Sequence, residues 1–488
     1  MKKYEFLENY LVEIDRVIEN GKYKDTWESL ADYEVPQWYK DAKFGIFSHF
    51  GLYSVAEKNS EWYSRQMYMQ GHSSYLYHLE NFGDHKEFGY KEFIELFKPV
   101  KFNSLEWIET IKKSGARYYI PVAEHHDGYQ MYESGLSDYN TVNIGPGVDY
   151  IKQLVESGNK NDIEIGVSSH RAEHYFFFEG ALDFDSGINK PEYGDLYWPT
   201  IKESDLNKDE KTTTLFLEDW LVRCCELVDL FNPKIVYFDW WIETDVFKPY
   251  ILKFAAYYYN KMEQQNTKGI INYKHDGYMY SSAVRDMERG QFANIQPDYW
   301  QCCTSLSNNS WSFVKNNTYK TTKEILQTLI DVVSKNGNLL LNIGPKADGS
   351  IPKVEIDLLN EIGNWMKING AAIYESKVWK VYGEGPTNTS GGDFSENSSM
   401  MYNDLDFRFT RNKDKLYVFA LNPLEGEVIK IRSLRKKNGL LKTHGVIKDV
   451  KLLSGGEVKD FKRKDFSFDI NYEINDYSLP IVFELTMG

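Results

Sequence analysis

The sequence lacks several features that mark common classes of protein. It has only four cysteines, in the adjacent pairs Cys224-Cys225 and Cys302-Cys303, and none has the Cys-x-x-Cys or Cys/His spacing of a zinc site. Neighbouring cysteines are also poor disulfide partners for each other, so we expect free thiols. Positive charge is scarce too, because 57 Lys and Arg oppose 72 Asp and Glu for a net charge of −15. Without a basic stripe, no nucleic-acid partner is expected.

Long hydrophobic runs are missing as well. No stretch reaches the roughly 20 apolar residues that a membrane-spanning helix needs, so no membrane partner is expected. The first residues carry positive charge, but Glu8, Glu13, Asp15 and Arg16 interrupt any apolar core of a signal peptide. We therefore expect a soluble protein, either cytoplasmic or secreted with its signal already removed.

Aromatic side chains are what the chain has in quantity, at 16% of its residues with 36 Tyr and 12 Trp. Most of them should fill a large hydrophobic core. Aromatic faces also stack on sugar rings and on bases, so the composition weakly favours a carbohydrate or nucleotide ligand.

Hydrophobic patterning divides the 488 residues into three regions, as expected for a chain longer than one domain. Residues 1–35 predict an amphipathic helix, with Leu7, Leu11 and Ile14 on one face, followed by a connector. Residues 379–488 show period-two alternation with polar connectors. Between them, over residues 36–378, helical stretches separate six apolar runs that we expect to be strands, at 44–47, 118–123, 163–167, 235–238, 269–272 and 339–343.

Alternating strands and helices over this length favour a parallel α/β domain. We predict an α/β fold with a (β/α)8-like catalytic barrel followed by a C-terminal antiparallel β-sandwich domain. A doubly wound sheet is the alternative, but no Gly-rich phosphate loop opens any of the helices. In the sandwich, Leu405 and Phe407 should share the face of one strand, and Phe466 and Phe468 that of another.

Polar side chains gather where four of the predicted strands end. They are His49 after the first run, the hexapeptide EHHDGY at 124–129 after the second, His170 after the third and Asp239 after the fourth. The carboxyl ends of barrel strands meet at one mouth, where barrel enzymes keep their active sites. We therefore expect the histidines of the first three segments to surround a pocket together with Asp239.

Asp239 is the strongest single candidate for chemistry. A carboxylate directly after a strand, followed by Trp240 and Trp241, would lie at a dry, aromatic-walled edge. A helix N-cap or a paired structural carboxylate is the alternative for this residue. Hydrolysis of a glycosidic bond needs two carboxyl groups, one to attack the anomeric carbon or activate water and one to protonate the leaving oxygen. Histidine and tyrosine would bind ring hydroxyls, and tryptophan would cover an apolar ring face.

A metal site is the competing interpretation of the hexapeptide. Glu124, His125, His126 and Asp127 are all good ligands. On an extended backbone, however, adjacent residues point to opposite sides. The two histidines could then not share one ion unless a turn re-aims them, so we expect no metal.

Six segments between about 38 and 375 follow the motif order of one enzyme family. They read AKFGIFSHFGLYSV at 42–55, EWY at 61–63, EHHDGY at 124–129, YFD at 237–239, LLLNIGP at 339–345 and NGAAIY at 369–374. These are similar to AKFGIFIHWGLYSV, EWY, KHHDGF, WFD, LLNVGP and NGEAIY of glycoside hydrolase family 29, the retaining α-L-fucosidases. The chain therefore resembles that family across the whole predicted barrel.

The resemblance implies a barrel followed by a sandwich, a catalytic nucleophile at Asp239, and no metal ion or organic cofactor. It also implies fucose contacts, and departures from the family motifs add further expected substrate contacts. The residues expected to bind substrate are His49, Glu61, Trp62, His125, His126, His170, Tyr237, Lys274 and Trp300.

The acid/base residue is expected in the segment RDMERG at 285–290, where the family usually supplies it. Glu288 lies 49 residues beyond Asp239, a plausible offset, and is our choice. Asp286 is its rival, because in an extended segment both would lie on the same side. The family's nearby WE motif reads Trp300-Gln301 here, which removes another carboxylate and favours Glu288.

We therefore expect an exo-acting α-L-fucosidase that hydrolyses terminal α-L-fucose from fucosylated glycans by a retaining double displacement. Its partner would be a fucosylated oligosaccharide or glycoconjugate, and the sequence predicts neither the linkage nor the oligomeric state. Two alternatives stay open: a non-catalytic fucose-binding protein on the same fold, and a metal-dependent hydrolase that uses His125, His126 and Asp127. Glu124 stands where the family has Lys, and the sequence pattern offers no reason for it.

Overall fold

The computed structural model describes residues 2–396, 401–426, 428–436 and 446–488. Its first eight strands are β1 (Phe44–Ser48), β2 (Tyr118–Glu124), β3 (Glu164–Ser169), β4 (Ile235–Phe238), β5 (Ile270–Tyr273), β6 (Val284–Glu288), β7 (Trp300–Ser305) and β8 (Gly337–Ile343). They lie side by side in sequence order, each parallel to its neighbours, and β8 pairs with β1 to close a barrel. The predicted (β/α)8-like barrel is therefore confirmed.

Most of the connections between barrel strands contain a helix that packs outside the barrel. The helices of the whole described chain, including α1 to α3 before β1 and α14 after β8, are as follows. They are α1 (Lys2–Asn20), α2 (Trp27–Leu30), α3 (Gln37–Ala42), α4 (Tyr63–Gln66), α5 (Ser73–Asn81), α6 (Phe93–Leu96), α7 (Ser104–Lys113), α8 (Tyr150–Lys160), α9 (His174–Phe177), α10 (Gly194–Tyr197), α11 (Glu210–Phe231), α12 (Lys248–Gln264), α13 (Thr322–Ser334) and α14 (Lys353–Asn369). Residues 274–299 are all described, and apart from the strand β6 they form only loops and turns, without a helix. β5, β6 and β7 are therefore joined by loops. None of the described helices is long and apolar enough to cross a membrane.

The amphipathic α1 packs against α11 and α12 on the outside of the barrel. Leu7, Ile14 and Ile18 are buried there, while Leu11 is half-buried at the edge of the contact. The predicted apolar face thus covers two barrel helices, which explains why a polar helix carries a stripe of large aliphatic residues.

All four cysteines are buried free thiols, as predicted. Cys224 and Cys225 lie in α11, and Cys302 and Cys303 lie in β7. Burial raises the pKa of every one of these thiols well above its usual range. Protonated, buried thiols are poor nucleophiles, so the cysteines act as small core residues.

The six predicted strands all occur, but β6 and β7 were not predicted. Their inward side chains include Asp286 and Gln301, which are completely buried and joined by a 2.7 Å hydrogen bond from Gln301 Nε2 to Asp286 Oδ1. Because the barrel interior is polar at this strand pair, neither strand shows the apolar run that identifies a buried strand in a sequence.

The C-terminal region forms two antiparallel sheets, which confirms the predicted sandwich. Its strands are β9 (Lys377–Glu384), β10 (Phe407–Asn412), β11 (Lys415–Ala420), β12 (Ile429–Ile431), β13 (Ile447–Leu452), β14 (Glu457–Arg463), β15 (Phe468–Glu473) and β16 (Ile481–Met487). One sheet has the order β13-β16-β11-β10-β9 and the other β12-β15-β14. Phe407 and Phe468 are in the core as predicted, whereas Leu405 and Phe466 are exposed because they precede their strands.

A buried charge cluster joins the sandwich to the barrel. Asp331 of α13 pairs with Lys335 of the same helix and with Arg408 of β10, and all three side chains are buried. Lys335 also donates a hydrogen bond to the Thr389 hydroxyl at 2.7 Å. The connection between β9 and β10 is thereby held close to the barrel.

Candidate active site

A cavity of about 400 Å³ opens at the carboxyl ends of the barrel strands, a size in the usual range of small-molecule sites. The predicted residues that line it are His49, Glu61, Trp62, His125, His126, His170, Tyr237, Asp239 and Glu288. Asp286, Lys274 and Trp300 lie outside its wall. The fold therefore brings together side chains from four predicted strand ends and from β6.

The two adjacent histidines face the same cavity, which corrects the expectation that they point to opposite sides. β2 ends at Glu124, and the chain then turns, with a hydrogen bond of 3.1 Å from the Gly128 N–H to the His125 carbonyl. Gly128 has φ 78°, and a Cβ atom there would lie 2.6 Å from the His174 ring, so only glycine fits. The ring centroids of His125 and His126 are 4.4 Å apart.

Asp239 directly follows β4 and lies between two histidines. Its Oδ2 is 3.0 Å from Nδ1 of His170 and 3.5 Å from Nε2 of His126. Burial alone would raise the pKa of Asp239, but His170 and His126 outweigh burial and hold that pKa well below its usual range. The carboxylate is therefore ionised at neutral pH, as an attacking carboxylate must be.

His126 carries the positive charge of this group. Its Nδ1 bonds to the His170 carbonyl oxygen at 2.7 Å, and its Nε2 lies 3.4 Å from Glu173 Oε2. Burial disfavours the charged ring, but Glu173 and Asp239 prevail and raise the pKa of His126 to about 9. Arg65 pairs with the other oxygen of Glu173 at 2.9 Å. Arg65 also pairs with Glu179 at 2.7 Å, so Glu173 and Asp239 each have a cationic partner in a buried setting.

The other three histidines are neutral, because burial lowers the pKa of His49, His125 and His170. The His49 ring is oriented by a 2.7 Å bond between its Nδ1 and Asn342 Oδ1, and the His170 ring by a 2.7 Å bond between its Nε2 and the Ser168 hydroxyl. The His125 ring stacks on His170 with centroids 4.6 Å apart. Among the described residues, the buried Nδ1 of His125 has no hydrogen-bond partner. Neutral rings can donate or accept, as sugar hydroxyls require.

Glu288 is the last residue of β6 and lines the same cavity as Asp239. Its Oε2 accepts a 2.6 Å hydrogen bond from the Trp240 indole and lies 3.3 Å from Nζ of Lys274. Burial raises the pKa of Glu288, and the Asp239 charge adds to this effect although Lys274 opposes it. Two carboxyl groups whose pKa values are pushed apart can divide the roles of acid and nucleophile.

Asp286 lies two residues earlier on the same side of β6, below the cavity and completely buried. Its Oδ2 accepts hydrogen bonds from Lys274 Nζ at 2.7 Å and from the Tyr237 hydroxyl at 3.1 Å. Its Oδ1 accepts the Gln301 amide. Asp286 therefore anchors the floor of the site, and the completely buried Lys274 contacts Glu288 instead of the cavity.

The expectation that Trp300 contacts substrate is wrong. Trp300 is the first residue of β7, at the amino-terminal end of the barrel, whereas the cavity lies at the carboxyl ends. Its indole N–H donates to the Lys335 carbonyl at 3.0 Å. Gln301 is buried inside the barrel, where its Oε1 accepts the hydroxyls of Tyr39 and Tyr118. A carboxylate at position 301 would not reach the cavity, so its absence does not bear on the identity of the acid.

Glu61 joins two sides of the cavity. Its Oε2 accepts hydrogen bonds from the backbone N–H groups of Trp311 and Ser312 at 3.2 and 3.1 Å. The bonds hold the loop after β7 so that the Trp311 ring lies 5.3 Å from the His49 ring. Trp62, the next residue after Glu61, lines the cavity beside it.

Several cavity residues were not among the catalytic or substrate-binding residues predicted from the sequence. They are Phe47, Glu173, Trp240, Trp241, Glu243, Trp311 and Phe394. The Trp240-Trp241 pair and Glu173 lie close to predicted strand ends, and this position in the sequence could have identified them as cavity residues. Trp311 and Phe394 come from loops that no predicted strand end precedes, so no local pattern could have identified them.

The two carboxylates of the hexapeptide have structural partners. Glu124 pairs with Arg171 at 2.8 Å and with Arg223 of α11 at 3.2 Å, and all three side chains are buried. Asp127 accepts a 2.5 Å hydrogen bond from the Tyr90 hydroxyl, and burial raises its pKa to about 7. Glu124, which the sequence left unexplained, is thus the counter-ion of two buried arginines.

Two groups of side chains within the described part of the chain could hold a metal ion. They are His49, His125 and His170, and His126, His170 and Asp239. In each group the ligand atoms lie within 4.8 Å of one another. Neither group contains Asp127, so the trio suggested for a metal-dependent hydrolase is not brought together.

Comparison with known proteins finds relatives that are described as α-L-fucosidases. The family model described as alpha-L-fucosidase matches residues 10–371. The plasma α-L-fucosidase of Rattus norvegicus is 30% identical over 388 residues, which cover 75% of this chain and 76% of that protein. The α-L-fucosidase of Dictyostelium discoideum is 28% identical over 393 residues, which cover 76% of this chain and 78% of that protein.

Solved structures extend the similarity beyond the barrel. The crystal structure of Thermotoga maritima α-fucosidase in complex with fucose matches with a TM-score of 0.73 and 27% identity, covering 95% of this chain and 100% of that one. A structure described as an α-L-fucosidase matches with a TM-score of 0.74 and 26% identity over the same shares. The family match spans more than half of the chain, so the chain belongs to the α-L-fucosidase family of glycoside hydrolases.

Proposed function

We propose that the protein is an exo-acting α-L-fucosidase that removes terminal α-L-fucose from fucosylated glycans with retention of configuration. The observation that carries the proposal is an ionised Asp239 and a Glu288 of raised pKa at the same cavity. A retaining glycosidase needs one carboxylate that attacks and one carboxyl group that protonates. The fucose-bound Thermotoga maritima relative supports fucose as the sugar.

In the first step, Asp239 attacks the anomeric carbon of fucose while the bond to the glycosidic oxygen breaks. Glu288 gives its proton to that oxygen, so the rest of the glycan leaves as a neutral alcohol. The product on the enzyme is a fucosyl ester of Asp239 with inverted configuration. The contacts from His126 and His170 hold the attacking carboxylate in position.

In the second step, the ionised Glu288 takes a proton from water, and the water oxygen attacks the anomeric carbon. The ester bond breaks, Asp239 leaves as a carboxylate, and Glu288 is protonated again for the next cycle. Two inversions restore the original configuration. This mechanism predicts a separation of about 5–5.5 Å between the two carboxyl groups.

The other cavity residues supply contacts for a single sugar. The neutral rings of His49 and His125 offer nitrogen atoms to ring hydroxyls, and the Glu61 carboxylate accepts hydroxyl hydrogens. Trp62 offers an apolar face to the C–H groups of the sugar. Phe47 and Tyr237 pack together at the inner end with ring centroids 4.9 Å apart. A closed inner end supports an exo-acting enzyme that binds the terminal residue of a chain.

The test is hydrolysis of an aryl α-L-fucoside, followed by NMR of the first fucose released. We expect the α anomer to appear first and to mutarotate afterwards. In Asp239→Ala, kcat should fall roughly 10³-fold or more, as expected on loss of a covalent nucleophile. Asp245→Ala is the matched control, because this carboxylate lies six residues away with a side chain that is 91% exposed.

Two results would contradict the proposal. Release of β-L-fucose first would mean an inverting mechanism in which Asp239 activates water. Fucose binding by calorimetry without hydrolysis of any aryl fucoside would mean a non-catalytic fucose-binding protein.

A further inference from the structure

A short segment of the sandwich region lies against the catalytic strand β6. It is residues 391–396, from the connection between β9 and β10. The N–H groups of Gly392, Phe394 and Glu396 donate to backbone carbonyls of residues 291, 288 and 289 at 2.9, 2.7 and 2.7 Å. In return, the Glu288 N–H donates to Asp393 Oδ1 at 2.8 Å. The segment is thus bonded to the residue proposed as acid and base.

Phe394 is the one side chain of this segment that lines the active-site cavity. Its ring stacks on Trp240, with centroids 5.9 Å apart and planes 14° from parallel. The side chain is nevertheless 62% exposed, and φ of Phe394 is 55°, a left-handed conformation that an aromatic residue rarely adopts. An exposed aromatic ring held in an unfavourable backbone conformation points to a function other than core packing.

The proposed reaction brings the second sugar of the substrate next to the Trp240 and Phe394 rings. Glu288 must reach the glycosidic oxygen to protonate it, so the sugar next to fucose lies beside Glu288. Trp240 donates its indole N–H to Glu288 at 2.6 Å, and Phe394 stacks on the Trp240 ring. The two rings therefore border the space that this second sugar occupies. The C–H face of a pyranose is apolar, and stacking it on an aromatic ring is favourable because both apolar surfaces are removed from water.

We propose that Phe394 and Trp240 form a stacking platform for the pyranose ring to which fucose is attached. This inference rests on the proposed fucosidase function. The platform makes the C-terminal sandwich a part of the substrate-binding site, because its β9–β10 connection supplies Phe394. It also selects for glycans in which fucose is linked to a second sugar ring.

The experiment compares two substrates in the full-length enzyme. One is a disaccharide with fucose linked to a pyranose, and the other is α-L-fucosyl fluoride, whose leaving group has no ring. In Phe394→Ala, the ratio of kcat/KM for the disaccharide to kcat/KM for the fluoride should fall about tenfold, which corresponds to about 1.4 kcal/mol. Phe394→Tyr keeps the ring and should restore the ratio. Phe466→Ala is the matched control, because Phe466 is 83% exposed on the sandwich.

The outcomes separate this inference from the function on which it rests. An unchanged ratio in Phe394→Ala overturns the platform alone, whether kcat/KM stays constant for both substrates or falls equally for both. An equal fall would mean that the segment acts only by holding β6. If the wild-type enzyme hydrolyses neither substrate, the fucosidase function is wrong and the platform with it.

Discussion

Replacing each of the two carboxylates on the inner side of β6 should separate a chemical role from a structural one. Glu288 lines the cavity and accepts the Trp240 indole, whereas Asp286 is completely buried and accepts three side-chain hydrogen bonds. We therefore expect Glu288→Ala to lose activity but little stability, because Lys274 keeps its 2.7 Å hydrogen bond to Asp286. We expect Asp286→Asn to lose stability above all.

The structure sets the size of each effect. General acid–base catalysis contributes about 10²–10⁴-fold, so kcat/KM of Glu288→Ala should fall by about that factor on a glycoside with a poor leaving group. Asp286→Asn leaves the buried Lys274 with Glu288, 3.3 Å away, as its remaining counter-ion. Breaking a buried ion pair costs about 3–5 kcal/mol, and the remaining partner puts the expected loss of unfolding free energy at the lower end, about 3 kcal/mol.

The pH profile gives Asp286→Asn a second signature. The Asp286 charge contributes to the raised pKa of Glu288, while Lys274 opposes it. Removing that negative charge therefore lowers the pKa of Glu288. Activity that needs protonated Glu288 is present below its pKa and lost above it, so the basic limb of the kcat/KM profile should move to lower pH.

Azide rescue with an aryl fucoside identifies the acid/base directly. In Glu288→Ala, azide can enter from the side of the missing carboxylate and attack the fucosyl ester, which gives α-L-fucosyl azide. In Asp239→Ala, azide would take the place of the nucleophile and give the β anomer. Rescue to α-L-fucosyl azide in Asp286→Ala, with none in Glu288→Ala, would refute the assignment of roles. So would wild-type kcat/KM of Glu288→Ala on a substrate with a poor leaving group.

Two further variants test contacts of the site and its support. Trp240→Phe removes an N–H that stabilises ionised Glu288, so the pKa of Glu288 should rise and the basic limb of the kcat/KM profile should move to higher pH; a limb that stays in place would mean that this bond does not influence the proton. Glu124→Gln leaves the buried Arg171 and Arg223 short of one carboxylate, so denaturant unfolding should reveal a loss of about 3–5 kcal/mol while KM stays at the wild-type value. An unchanged unfolding midpoint would contradict the ion-pair role of Glu124.

Much of the barrel and of its histidines could be predicted because the signals are local. His49, His125, His170 and Asp239 each follow an apolar run within a few residues, and the carboxyl ends of parallel strands must meet at one mouth. The orientation of His125 against His126 was wrong because it was argued from an extended backbone. The chain turns there, at a glycine whose left-handed φ no strand pattern encodes.

The prediction that Trp300 contacts substrate was wrong for a different reason. The neighbourhood of Trp300 in the sequence resembles a family motif, but which end of the barrel a residue occupies depends on where its strand begins. β7 begins at Trp300, and this start was hidden because the strand carries the buried polar Gln301 in place of an apolar run. A polar barrel interior thus concealed both the strand and the position of its first residue.

The order of residues along the chain was enough to identify the barrel, the sandwich and the family, and to predict Asp239 as the nucleophile, because these inferences depend on periodicity and on motifs of neighbouring residues. It also predicted that Asp286 and Glu288 would share one side if their segment were extended, since side chains alternate along an extended backbone. Only the tertiary structure shows that the two residues have different surroundings. They are two positions apart along the strand, a distance of about 6.6 Å. That distance leaves Asp286 under Lys274 and brings Glu288 into the cavity. Phe394 could be found only from the tertiary structure, since it reaches the cavity from the connection between β9 and β10, far along the chain from the barrel strands.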